Sequence, residues 1–193
     1  LDGAAANALT LATTAGDATV TVSSGAHTIA APVALANDLS VDIANAADSL
    51  TMAGDLSGAA GGLTKTGPGT LTLDGDNAYP GATTVGGGRL SVNGTHTGGG
   101  PYTVLAGTSL GGIGAIGSVI GGAGTVDPGD SPGLLTAVQT DPTDGLDYNF
   151  EFTMKNGEPN WAEVENDVFR LTHATTPFMS ALDGDNTISL YLE

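Results

Sequence analysis

The feature that most constrains this chain is a rhythm of short strand-like runs, each broken by Gly, Asn, Asp or Pro. Ala18–Val22, Leu39–Ile43, Thr70–Leu73 and Arg89–Val92 each alternate apolar with small polar residues. That alternation is the period-two signature of a half-buried β-strand. Equivalent positions return at intervals of about 20 residues, from Val22 to Val41, Leu71 to Leu90, Leu90 to Leu110 and Val104 to Val126. Such an interval points to a solenoid, because one coil of short strands cannot bury its own apolar face and stacking neighbours does it instead. Strand count and turn signals alone also admit a β-sandwich. No stretch has a convincing helical period; residues 30–47 come closest, and Pro32 and the β-branched residues weaken a helix there.

The inventory of side chains fits a thin interior. The 31 glycines and an aromatic content of 5% leave few bulky groups, so Val, Leu, Ile, Ala and Thr must fill the core. A hydrophobic content of 40% argues against wholesale disorder. Four basic residues face 21 acidic ones, for a net charge of −17. Phosphate backbones and anionic membranes both require clustered Lys and Arg, so neither is an expected partner. The absence of Cys removes thiolate metal sites and disulfides. No apolar run approaches the length of a membrane span, so insertion of this segment is not expected. The chain starts at Leu1 without a basic or apolar leader, as expected of a mature or excised form.

Residues 62–93 read GLTKTGPGTLTLDGDNAYPGATTVGGGRLSVN. This run resembles the autotransporter-associated β-strand repeat, through Gly62, Leu63, Thr64, Lys65, Thr66, Gly67, Gly69, Thr70, Leu71, Thr72, Leu73, Gly75, Asn77, Tyr79, Gly81, Thr83, Thr84, Val85, Gly88 and Leu90. Residues 124–133, GTVDPGDSPG, resemble the motif that often follows such repeats, with Asp130 where Asn is usual. The resemblance implies a right-handed parallel β-helix exported to the bacterial cell surface or beyond it. The expected architecture is therefore all-β: a β-solenoid over residues 1–142, with the repeat at 62–93, and a β-rich C-terminal cap over 143–193. All four Phe and the only Trp fall in that last segment. A solenoid needs a cap, because its last coil exposes an apolar column and unpaired backbone.

Few residues suggest chemistry. His27, His96 and His173 are isolated and read as surface or face-filling side chains rather than metal ligands. Glu151, Glu163, Glu165 and Asp167 could supply a glycosidase carboxylate pair, but their alternation reads as the solvated face of a strand. Asp74, Asp76 and Asn77 recur as Asp183, Asp185 and Asn186 in two Asp-Gly-Asp-Asn stretches. Their oxygens suit calcium, and the same residues are ordinary turn formers. Ser131 lacks the setting of a nucleophile elbow, and the triple glycines at 86–88 and 98–100 lack the Lys-Ser/Thr of a phosphate loop. No catalytic group and no other cofactor is expected.

One absence stands out. From Asn77 to Val126 there is no acidic residue, and Arg89 is the one charge. Exposed strands normally carry charge, proline or bulges as protection, so this run is either a plain lateral face or a self-association surface. The leading expectation is a structural rod that joins copies head to tail into a homo-oligomer or filament. Leu9, Thr10 and Leu11 at one end and Thr187, Ile188, Ser189, Leu190, Tyr191 and Leu192 at the other are the candidate joining strands. The rival is an adhesin or spacer segment that binds glycans through exposed aromatics such as Trp161, Tyr148 and Tyr191.

Overall fold

The computed structural model describes residues 8–129, 134–141, 145–152, 154–155, 158–159, 168–171 and 188–192. Among these there is no helix, and nearly every strand pairs in parallel with the strand one coil away. The first coil comprises β1 (Leu9–Leu11), β2 (Ala18–Val22) and β3 (Ala26–Ile29). The second repeats the path with β4 (Val33–Leu35), β5 (Leu39–Ile43) and β6 (Ser49–Met52), and the third with β7 (Leu56–Gly58), β8 (Leu63–Thr66) and β9 (Thr70–Leu73). Next come β10 (Thr83–Val85) and β11 (Arg89–Val92), then β12 (Thr95–His96), β13 (Tyr102–Val104) and β14 (Ser109–Gly112). β15 (Ala115–Gly122) and β16 (Thr125–Pro128) form the coil above, followed by β17 (Leu134–Asp141) and β18 (Asp147–Phe152). A short antiparallel pair, β19 (Met154–Lys155) and β20 (Glu158–Pro159), precedes β21 (Val168–Leu171) and β22 (Ile188–Leu192).

The chain is a β-solenoid, as its period requires. β21 and β22 extend the ladders of β17 and β18, so strands beyond residue 142 continue the same stack. Three faces result: one starts at β1, one at β2 and one at β3. On the third face one column of aligned backbone positions passes through His27, Leu50, Leu71, Leu90, Leu110, Val126, Tyr148 and Ile188 in unbroken register. Leu50 through Tyr148 in that column are buried. On the β2 face, Val20, Val41, Lys65, Val85 and Val104 align in the same way. Outward positions between them carry Thr19, Ser40, Thr64, Thr84 and Thr103, which explains how a chain with 13% charged residues keeps a polar surface.

Glycine at the corners has a steric cause. Gly54, Gly75, Gly94 and Gly114 stack at one corner, and a Cβ on Gly94 would sit 2.1 Å from the carbonyl oxygen of Gly75. Backbone approaches backbone there at a distance no other residue permits. Short polar side chains then clamp each corner to its neighbour. Asp38 Oδ1 accepts the Gly62 amide at 2.7 Å, Asp55 Oδ1 that of Asp76 at 2.8 Å, and Asp48 Oδ1 that of Gly25 at 2.7 Å. Asn45 also donates to Asp48, and these two bonds hold the Asp48 carboxyl below its ordinary range.

Candidate functional site: the open coil edge and the polar interior

Two regions differ from a plain stack of aliphatic coils. The first is the edge formed by β1, β2 and β3. In a parallel ladder the backbone groups of successive residues point alternately to the two neighbouring strands. The Leu9 amide donates to Pro32, and Leu11 accepts from Ala36, so both face the second coil and Thr10 faces away from it. By the same alternation Ala18 and Val22 bond to the second coil, and Thr19 and Thr21 face outward. On β3, Gly25 and Ile29 accept from the second coil, leaving Ala26 and Thr28 outward. None of these three strands contains a charged residue or a proline. Beside them lies a recess of about 460 Å³, lined by Val20, Val22, Ser24, His27, Ile29 and Leu50 among others.

The second region is the interior between β8 and β13, where polar groups occupy inward positions. Lys65 lies in the valine column of the β2 face with its side chain wholly buried, and its ammonium donates to the carbonyls of Thr66 (2.7 Å), Gly67 (2.8 Å) and Gly87 (3.1 Å). It thereby ties its own corner to the next coil. Burial pulls its pKa down to about 8, opposed by the nearby Asp42 carboxylate. Asn77 takes the inward place between Leu56 and His96 on the β1 face. Its Oδ1 accepts the Leu56 amide at 3.0 Å, and its Nδ2 donates to the carbonyls of Gly75 (2.9 Å) and Thr95 (3.3 Å).

An aromatic stack completes this interior. The His96 ring lies 4.1 Å from that of Tyr79 and edge-on to Tyr102 at 5.5 Å. His96 Nε2 lies 2.9 Å from the Tyr79 carbonyl oxygen, which can only accept, so Nε2 donates and Nδ1 accepts from the Tyr102 hydroxyl at 2.8 Å. Tyr79 Oη pairs with Thr83 Oγ1 at 2.7 Å. Burial lowers the pKa of His96 and raises those of both tyrosines. Every polar atom here is engaged with another, so the cluster acts as an internal clasp with no accessible nucleophile.

The residues singled out in the sequence fall in different places. Leu9–Leu11 forms the edge strand β1, and Ile188–Leu192 forms the edge strand β22, with Thr187 outside the described residues. The two lie on different faces, so they do not continue one another's ladder. Asp74 and Asp76 are exposed, whereas Asn77 turns into the core with its amide fully used. Asp74 accepts from Asn93 and Asp76 from Thr95, so the three do not converge. Among the described residues no three His, Asp or Glu side chains form a metal-ligating group. Asp183, Asp185, Asn186, Glu163, Glu165, Asp167, Trp161, Ser131 and His173 lie outside the described residues. Tyr148 is corrected: it is buried in the column above Val126 and cannot belong to an exposed aromatic patch. His96 fills a face as expected, although its two tyrosine partners were not anticipated. Arg89, the lone charge of the acid-free run, reaches over Gly111 to form an ion pair with Asp127.

The family model of the passenger-associated-transport-repeat matches residues 63–92. Residues 63–92 therefore form one passenger-type repeat within a β-solenoid. The match contains Lys65, Asn77, Tyr79 and Thr83, so the repeat supplies part of the polar interior, and His96 and Tyr102 join it from the coil that follows. A repeat of this kind implies a secreted or surface-exposed chain. No curated protein and no solved structure matches this one.

Proposed function

We propose that this passenger-type chain is a non-catalytic structural rod at the bacterial surface or in its extracellular matrix, and that copies join end to end. The observation that carries the reading is the edge of β1, β2 and β3, where Thr10, Thr19, Thr21, Ala26 and Thr28 turn their backbone groups away from the second coil with no charge or proline among them. Unguarded parallel edges are templates for another strand, and a head-to-tail contact that does not close propagates. The net charge of −17 opposes association, so growth should strengthen with salt as the screening length falls to about 8 Å near 0.15 M. The glycan-binding alternative lacks support at Tyr148, whose ring is in the core.

Negative-stain microscopy and sedimentation of the purified chain over a concentration series test this. The expected result is rods that lengthen with concentration and with salt, with or without calcium. Thr19→Pro removes one outward N–H without touching the ladder to β5, and should leave the fold intact while shortening the rods. Monomers at all concentrations would sink the proposal.

A further inference from the structure

The column registers also determine how two copies would meet, an inference that rests on the end-to-end reading. On the β3 face, one column starts at His27 and ends at Ile188. The columns beside it therefore pair Thr28 with the position of Ser189, and Ile29 with that of Leu190. On the β1 face the corresponding column runs from Leu9 through Val33, Leu56, Asn77, His96, Ile116 and Ala137 to Leu171. There β21 ends on the column where β1 begins, so the two strands share a single position.

We infer that the joint between copies is made on the β3 face, with β22 of one copy adding in parallel to β3 of the next in the register Ile188–His27, Ser189–Thr28 and Leu190–Ile29. Three further observations fit it. Neither strand contains Asp, Glu, Lys or Arg, so the joint brings no like charges together in a strongly acidic chain. Thr28 and Ala26 already point their backbone groups toward the incoming strand. The recess lined by His27, Ile29 and Leu50 lies where an added coil would cover it. The β1 strand, although it is an edge, is then not the partner of β22.

The absence of native cysteine makes the test direct. Thr28→Cys and Ser189→Cys chains are mixed at a concentration that gives rods, then oxidised with copper phenanthroline. Aligned residues on adjacent strands lie about 5 Å apart, within disulfide reach. The expected result is a disulfide dimer in the mixture at ten-fold or more the yield of either variant alone. Thr10→Cys mixed with Ser189→Cys should give only background. Rods without the Thr28–Ser189 cross-link, or with a Thr10–Ser189 cross-link, overturn the register and leave end-to-end growth standing. Neither rods nor cross-links overturns both.

Discussion

On the face that runs from β3 to β22, the inward column is aliphatic from Leu50 through Leu71, Leu90 and Leu110 to Val126; on the faces of β1 and β2 it is interrupted by Lys65, Asn77, Thr83 and His96. Strand geometry is the same in both. The aliphatic column is held by non-directional burial, so any side chain of suitable volume serves at each step. The polar column is held by bonds with fixed partners: Asn77 alone satisfies groups on Leu56, Gly75 and Thr95 from three successive coils. One column supplies cohesion, and the other specifies which coil sits on which.

The largest expected effect breaks this comparison at matched sites. Leu71→Met should cost under about 1.5 kcal/mol, because volume and polarity are conserved. Asn77→Leu, similar in volume, should cost roughly 2–4 kcal/mol, because it strands the Leu56 amide and the Gly75 carbonyl away from water, while the Thr95 carbonyl keeps the Asn77 backbone amide. Urea unfolding of both variants measures the difference. Equal costs would show that Asn77 acts as a mere filler and that the two columns obey one rule.

This contrast also marks how far the sequence could be read. The strand-turn rhythm and the alternation within Leu39–Ile43 or Thr70–Leu73 lead straight to the ladders, because burial writes apolar residues at every second position. The polar interior was hidden by the same logic. Lys65, Asn77 and His96 look like surface residues by type, yet Lys65 lies in phase with Leu63 and would be inward by alternation alone. That phase was the available signal. The Asp-Gly-Asp-Asn stretch misleads for a related reason: Asp74 and Asp76 are exposed at a corner, whereas Asn77 begins the next inward run. The strands β1 and β22 are visible as β-type runs in the sequence, but the face each occupies depends on coil geometry, which composition does not encode.

A middling effect sharpens the comparison through pH, since Lys65 and His96 of the polar interior are shifted within reach of pH 5–10, whereas burial pushes Tyr148 of the other column up to about 12. Lys65 has a folded pKa of about 8 against an ordinary value of 10.5. Between the two the unfolded chain holds a proton that the native chain has released, so raising pH favours the native state. The buried Tyr79 and Tyr102, with raised pKa, work the other way above pH 10. Stability should therefore rise by roughly 1–2 kcal/mol from pH 8 to 10, after allowing for solvent near the corner, and then fall. Lys65→Met should abolish the rise. On the acid side, the lowered pKa of His96 means stability is full above 6.5 and declines as pH falls below it. His96→Gln should flatten that decline. Denaturant midpoints across pH 5–10 decide both, and a profile unchanged by either substitution would show that these groups do not titrate with unfolding.

The smallest effect concerns the aliphatic face from outside. Arg89 on β11 passes over Gly111 on β14 to reach Asp127 and the Gly129 carbonyl on the coil beyond, so one side chain spans three strands of that face. Both partners are partly exposed, and ion pairs in such settings contribute about 1 kcal/mol or less. Arg89→Ala should therefore shift the unfolding midpoint slightly, and less in 0.5 M salt than in low salt. A loss as large as that of Asn77→Leu would mean that the β3 face also depends on specified polar contacts. The division between a cohesive column and a registering one would then no longer hold.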